Sequence, residues 1–265
     1  MEEEDLWDVL LKRGFLWQSY EIYGGSAGFY DYGPLGAAIK RKIEDEIRDW
    51  FRKEGFHEIE TPTIGTYDVF KASGHVDSFL DPMTECKDCG KRFRADHLVE
   101  DEIGEIAEGY SNKELTEGLR TNNISCPECE GELTDVWSFN LMFETSIGPF
   151  EGNKGFLRPE TAQGIFTSFK RLKSFAREKL PFGIFQVGKA YRNEISPRNK
   201  VVRLREFTQA EAEIFYDPDQ QEYKDYKEIK EEEIRLISSK MQENNEEPID
   251  IKVKEALDKN IFKTE

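Results

Sequence analysis

No run of 18 apolar residues occurs anywhere in this 265-residue sequence, so no helix spanning a bilayer is expected. The opening Met1-Glu2-Glu3-Glu4-Asp5 lacks the basic and apolar regions of a secretory leader. Cysteine is scarce, with four residues that all fall in Cys-x-x-Cys pairs. That usage fits a reducing cytoplasm and a bound metal better than a secreted disulfide frame. The three histidines, His57, His75 and His97, are isolated. None sits in a nucleophile–base pattern, so each is expected to be structural or on the surface. Positive charge is also short, with 37 lysines and arginines against 54 aspartates and glutamates and a net charge of −17. Such a balance repels polyanions at long range and argues against a general nucleic-acid-binding module. Any RNA partner must meet a local basic patch or other chain. No repeat of solenoid period is present.

The chain is nevertheless 37% hydrophobic and 12% aromatic, enough for one large domain or two modest ones and too apolar for overall disorder. Leu6, Val9 and Leu10 sit at helical spacing before a stop at Gly14. Ser19 to Gly36 reads as loop and short strand. Its Gly24-Gly25-Ser26-Ala27-Gly28 run matches neither a P-loop nor a Rossmann fingerprint and is expected to be a tight loop near a substrate pocket. Leu35 to Glu54 predicts a helix with the stripe Ile39, Ile43, Ile47, Trp50 and Phe51, ended by Gly55. Phe56 to Glu60 reads as a strand stopped by Pro62. Val136 to Phe143 and Gly155 to Arg158 are further strands. Ala162 to Leu180 predicts one helix with the inward stripe Ile165, Phe169, Leu172 and Phe175. Past Asp217-Pro218 the text turns highly charged up to Pro248. It is expected to be exposed helix, with Lys230 to Arg235 a solvated face, followed by a strand at Ile249 to Val253. Strands and helices mix without regular βαβ alternation, which predicts an α+β fold with an antiparallel sheet.

Two strands, Ile184 to Glu194 and Glu206 to Tyr216, carry the chemistry. Alternation puts Gln186, Gly188, Ala190, Arg192 and Glu194 on one face of the first, and Phe207, Gln209, Glu211 and Glu213 on one face of the second. If those faces coincide, Arg192, Glu194, Phe207, Gln209 and Glu211 are displayed together. The set suits an anionic, aromatic ligand bearing an ammonium: arginine forks onto phosphate oxygens, a phenyl ring stacks on a purine, and glutamates hold an amine. The link adds Arg198, Lys200 and Arg203, a basic loop able to close over phosphates. The alternative is an antiparallel sheet with one solvated polar face.

Thr84 to Asp135 has a different character, with an acidic middle and both cysteine pairs. Cys86-x-x-Cys89 and Cys126-x-x-Cys129 stand in the knuckle-like contexts CKDCGK and CPECEG, separated by residues 90–125. Four thiolates would close a tetrahedral structural zinc site, leaving no position for catalysis. Metal-free reduced turns and a redox disulfide are the alternatives. The gap is expected to hold a helical excursion over Phe93 to Arg120.

FQVGKAYRNEISPRNKVVRLREFTQAEAEIF, with Tyr191-Arg192-Asn193-Glu194 at its centre, resembles motif 2 of the class II aminoacyl-tRNA synthetases. Its ISPR and REFTQAE text, together with FLRPETAQGIF and the opening RGFLWQSYEIYGGSAGFYDYGPLG, resembles the glycyl-tRNA synthetases. The helix ending at Gly55 and the strand into Pro62 resemble motif 1. The resemblance covers roughly residues 10 to 217 in four separated segments. It implies an antiparallel class II sheet flanked by helices with an inserted zinc-binding module. The implied divisions are 1–83 (with motif 1), 84–135 (zinc module), 136–217 (core with motif 2) and 218–265 (start of a further insertion). It also implies ATP-dependent activation of glycine and transfer to tRNA(Gly) by a cytoplasmic homodimer joined through motif 1, with Mg²⁺ accompanying ATP and structural Zn²⁺. By that resemblance Arg192 holds the α-phosphate and stabilises its charge during attack. Glu194 meets the adenine amino group or the tRNA end. Arg203 reaches the γ-phosphate and Phe207 stacks on adenine. Glu160 and Glu211 hold the glycine ammonium, and Arg158 orients Glu160 or positions substrate. After Tyr216 no segment matches motif 3, and no anticodon-binding domain is evident. A non-catalytic dimerisation or regulatory module therefore stays open, as does a ligase using another acceptor.

Overall fold

The computed structural model describes residues 3–149, 152–197, 200–219, 226–259 and 261; Arg198 lies outside them. In chain order the elements are α1 (Glu3–Lys12), β1 (Leu16–Gln18), β2 (Tyr30–Tyr32), α2 (Pro34–Lys53), β3 (His57–Glu58), β4 (Ile64–Thr66), α3 (Tyr67–Ala72), α4 (His75–Ser78), β5 (Leu80–Glu85), β6 (Arg92–Arg94), α5 (Ala95–Ile103), α6 (Asn112–Thr121), β7 (Trp137–Asn140), β8 (Glu144–Ser146), β9 (Lys154–Leu157), α7 (Ala162–Thr167), α8 (Phe169–Phe175), β10 (Phe182–Tyr191) and β11 (Glu206–Phe215). These lie in one compact unit ending at Phe215. A second unit, Tyr216–Glu265, holds α9 (Tyr226–Ile229), β12 (Glu233–Leu236), α10 (Ser239–Glu243), β13 (Ile249–Lys252) and α11 (Val253–Asp258).

The centre of the first unit is the antiparallel pair β10–β11, extended on the β10 side by a short parallel pairing with β3. Its reverse face meets α2, where Phe51 stacks on Phe185 at 5.1 Å between ring centroids. α2 starts with Pro34 in its first turn, where the ring's fixed φ suits the helix and no donor is lost. Gly55, at φ +83, follows its last turn. Part of its apolar stripe stays in water: Ile39 is 49% exposed, Ile43 56% and Trp50 61%.

The span expected as one helix from Ala162 is two. Ser168 N bonds Ile165 O at 3.1 Å, a tight turn that ends α7 and restarts the chain as α8. The restart rotates the aromatic stripe. Ile165 and Leu172 are buried, but Phe169 and Phe175 are exposed. Phe169 lies 4.9 Å from the Phe215 ring, and Phe175 meets His57 edge-on at 5.0 Å.

Residues 80–140 form their own sheet, β6-β5-β7, capped by two helices where one excursion was expected. Ala95, Val99, Ala107, Leu115, Leu119 and Val136 close its core. A Ser111–Glu114 capping box starts α6. The charged C-terminal stretch also departs from expectation. Lys230 to Arg235 is not a helix face, because Glu233–Leu236 is a strand paired antiparallel with β13. Its alternation, with Glu233 and Arg235 exposed and Ile234 and Leu236 turned inward, is the period-2 signal that charge density concealed. Leu236, Ile251 and Ala256 form the small core there.

Candidate active site and metal centre

The register of β10 and β11 sets Gln186 opposite Glu211, Gly188 opposite Gln209 and Ala190 opposite Phe207. Directly opposed residues share a face, so this register brings the two polar faces together.

Buried side chains on that same face brace it. Gln186 is fully buried; its Oε1 accepts from Thr61 N at 2.6 Å and Thr61 Oγ1 at 2.9 Å, and its Nε2 donates to Thr161 O at 3.0 Å. Arg158 is 6% exposed and lies over Gly188, where any Cβ would collide with its guanidinium. Its Nε donates to Lys189 O at 2.7 Å and its Nη1 to Thr61 O at 3.0 Å. Burial lowers its pKa, countered by the charges of Tyr191, Glu211 and Glu60. Its hydrogen bonds among the described residues go to backbone and to Thr61. Gly188→Ala is accordingly expected to destabilise the protein by about 1–3 kcal/mol, read by chemical denaturation. An unchanged midpoint would show that Arg158 moves freely.

The acidic end gathers three carboxylates. Glu211 Oε2 accepts from Thr161 N at 2.6 Å and from the Thr161 hydroxyl. Glu160 accepts from the Gln163 side-chain amide and lies 3.5 Å from His75 Nε2. Glu213 belongs to the same face; burial, then the charges of Glu211 and Glu160, raise its pKa. Beside them Gln163 Oε1 and Gln209 Oε1 are buried with no hydrogen-bond partner among the described residues.

The basic end begins just past β10. Arg192 donates from Nε to Pro159 O at 3.2 Å, and its guanidinium sits 5.4 Å from the rings of both Phe79 and Phe207. This sandwich fixes the plane of the fork. Glu194 is 9% exposed; burial raises its pKa, partly offset by Arg203, which lies 4.0 Å away. Arg205, which sequence reasoning passed over, donates to Glu194 O at 2.7 Å and Ala27 O at 2.9 Å, and its own N–H bonds Gly28 O. It thereby clasps the glycine-rich loop to the base of the basic loop. A polar cavity of about 370 Å³ between α5 and that loop is walled by Arg94, His97, Asp101, Ser196 and Arg203. Arg94, also passed over, pairs with Asp81 at 3.1 Å and with Asp96. Its only sequence signal is a place beside the first cysteine pair.

The four cysteines converge, with every Sγ within 4.8 Å of the others. Cys86 and Cys129 are 3.5 Å apart, and Cys89 and Cys126 are 3.7 Å apart. A tetrahedron with metal–sulfur bonds of about 2.3 Å has edges of about 3.8 Å, so the set can hold such an ion. The Cys89 backbone N–H, offset in part by burial, leaves the Cys86 thiol at about 7. Gly131 lies so close that a Cβ would come 2.9 Å from Cys86 Sγ, which explains the glycine of CPECEG.

The tRNA synthetase class II core domain (G, H, P, S and T) matches residues 149–254, and glycyl-tRNA synthetase insertion domain 1 matches residues 81–119. Glycine–tRNA ligases from Thermococcus sibiricus and Pyrococcus furiosus are each 60% identical to it over 97% of this chain and 45% of their own length. The chain thus spans less than half the length of these curated relatives. A prolyl-tRNA synthetase structure from Cryptosporidium parvum, complexed with L-proline and AMP, aligns with 81% of this chain and 29% of its own at 12% identity and a TM-score of 0.47. With the class II core model on the β10–β11 hairpin, the insertion model on the β5–α6 region, and 60% identity over nearly all of its residues, the chain belongs to the class II glycyl-tRNA synthetase family.

Proposed function

We propose that this chain carries the glycine- and ATP-binding half-site of a glycine–tRNA ligase, which joins glycine to ATP as glycyl-adenylate and passes it to tRNA(Gly). One observation carries the proposal: the β10–β11 register sets Glu211 and Glu213 on one face of the hairpin, near Glu160, and the aromatic-clamped Arg192 follows directly on the end of β10. Adenylate formation needs no side-chain nucleophile. A glycine carboxylate oxygen attacks the α-phosphorus, and the P–O bond to pyrophosphate breaks. The protein supplies position and charge. Arg192 holds the α-phosphate oxygens as their charge grows, with Mg²⁺ arriving on the ATP phosphates. Phe207 offers its ring to adenine, Arg203 reaches toward the γ-phosphate, and Glu194 meets the adenine amino group or the tRNA end. Glu160 and Glu211 grip the ammonium, and Arg158 braces the floor between them. Selectivity for the smallest amino acid follows from crowding, since a side chain meets this packed polar floor.

The proposed divisions are 1–83, 84–135, 136–217 and 218–265, with the second a zinc module of Cys86, Cys89, Cys126 and Cys129 and the setting cytoplasmic. No helix among the described residues is long and apolar enough to cross a membrane. The half-exposed Ile39, Ile43 and Trp50 on α2 support a homodimer through the motif 1 helix. Ile43→Asp is expected to turn a dimer into a monomer in analytical ultracentrifugation, and a wild-type monomer would refute that contact.

The site is tested by calorimetric titration of the purified chain with a non-hydrolysable glycyl-adenylate analogue. Saturable binding at one site per chain supports the assignment. Absence of binding favours a non-catalytic synthetase-like module.

A further inference from the structure

His75 reads from the sequence as an isolated core or surface residue, yet it lies at the acidic end of the site. Gly74, at φ +82, turns the chain into the single turn of α4, and Asn140 Nδ2 pins that turn by donating to the carbonyls of His75 and Val76 at 3.0 and 2.9 Å. The ring is held between Phe70 and Phe79, at centroid distances of 6.3 and 5.4 Å, and its side chain is 14% exposed. Nδ1 lies 2.9 Å from Ser73 Oγ and Nε2 lies 3.5 Å from Glu160 Oε1. Lys71 and Asp77, charged neighbours on α3 and α4, pair with each other at 2.7 Å. The carboxylate facing the ring edge is thus Glu160.

The proton position follows from chemistry. A bare Nε2 lone pair aimed at a carboxylate would repel it, so the nitrogen facing Glu160 carries hydrogen. In the neutral ring Nδ1 is then the acceptor, and the Ser73 hydroxyl is within reach to donate to it. The Gln163 amide is hydrogen-bonded to Glu160, and His75 Nε2, from a different element, approaches the same oxygen at 3.5 Å.

We propose that His75 is a positioning residue for glycine: its Nε2–H holds Glu160 in the orientation that receives the substrate ammonium. The inference rests on the functional assignment above and adds to it a residue acting through Glu160. His75 also packs on Phe79, which lies against Arg192. A merely structural role would therefore disturb the phosphate end as much as the ammonium end.

Two probes separate those roles: the glycyl-adenylate analogue and its desamino counterpart, which lacks only the ammonium. His75→Ala is expected to weaken the first about tenfold and leave the second within about twofold. His75→Gln, whose amide nitrogen can replace Nε2, recovers most of the loss. Equal weakening of both probes, or of neither, overturns the proposal. A ligand-free measurement stands beside it. Nitrogen-15 NMR of the histidine ring is expected to show the Nε2–H tautomer, with a downfield proton that moves upfield in Glu160→Gln. A bare Nε2, or a proton indifferent to that substitution, overturns the contact even if no analogue binds. Failure of wild type to bind either probe with the NMR signature intact counts against the functional assignment and not against the His75–Glu160 pair.

Discussion

Glu211→Gln is expected to abolish most of the discrimination between the glycyl-adenylate analogue and its desamino counterpart, whereas Arg192→Ala should weaken both. Glutamine keeps an acceptor for Thr161 N and the Thr161 hydroxyl, so the floor stays assembled and only the negative charge is lost. The nearby unpartnered acceptors, Gln163 Oε1 and Gln209 Oε1, can accept hydrogen bonds from the ammonium but cannot neutralise it. Truncating one partner of a buried, hydrogen-bonded charge pair costs about 2–5 kcal/mol, so affinity for the amino-bearing probe should drop by at least roughly thirtyfold. Arg192 lies at the other end of the face, clamped by Phe79 and Phe207, and meets the phosphate-like group present in both probes. Its loss should cost about as much for each. Calorimetry with the two probes and two variants reads a two-by-two pattern. Loss of both probes in Glu211→Gln would show that Glu211 supports the fold of the site and does not recognise an ammonium.

Removal of metal is expected to unfold residues 84–135 and lower the melting temperature by roughly 10 °C or more. Cys86 and Cys126 are buried and pack with Phe93 in a small cluster of their own, flanked by Leu98 and Leu133. Without an ion, the four sulfurs within 4.8 Å must share protons or repel one another as thiolates. Bound zinc supplies about 10–16 kcal/mol in isolated finger peptides, more than this cluster can supply by burial alone. A loss of several kcal/mol in a unit of this size shifts melting by about 2–4 °C per kcal/mol. Elemental analysis should find about one zinc per chain, and Cys129→Ser should release it. The module's helices would then lose their circular dichroism before the β10–β11 core melts. A metal-free protein with an unchanged melting curve would leave the cysteines as reduced turns.

The alternation in residues 184–191 and 206–215 was readable because side-chain direction along a strand is local: Gly188, Ala190, Gln209 and Glu211 fall on predictable faces whatever the rest of the chain does, whereas Arg192 and Glu194, expected on the same strand, lie past its end. The cysteine pairs were readable for the same reason. Each Cys-x-x-Cys turn is local, and only the meeting of the two pairs, with every Sγ within 4.8 Å of the others, is tertiary. The helix of α2 and its stop at Gly55 follow from periodicity and a single glycine.

Tertiary structure decided the rest. Ten paired positions of β10 and β11 brought the two polar faces into one, a register that alternation permits but does not choose. Arg158 reaches Thr61 and the Lys189 carbonyl across Gly188, where no Cβ blocks the guanidinium. Ser168 broke the predicted helix because Phe169 finds Phe182 and Phe215 to stack on, neighbours no local pattern reveals. The second unit hid a strand in Glu233–Leu236 because alternating charges look like a solvated helix until Ile234 and Leu236 meet Ile251. The meeting of His75 with Glu160 is set by packing between elements distant in the chain, and that of Arg94 with Asp81 by the pairing of β5 with β6. Sequence alone therefore determined which residue types stand on which face and in which turn. The fold decided which faces meet, because pairing and packing energies depend on neighbours that the chain brings together only once it has closed.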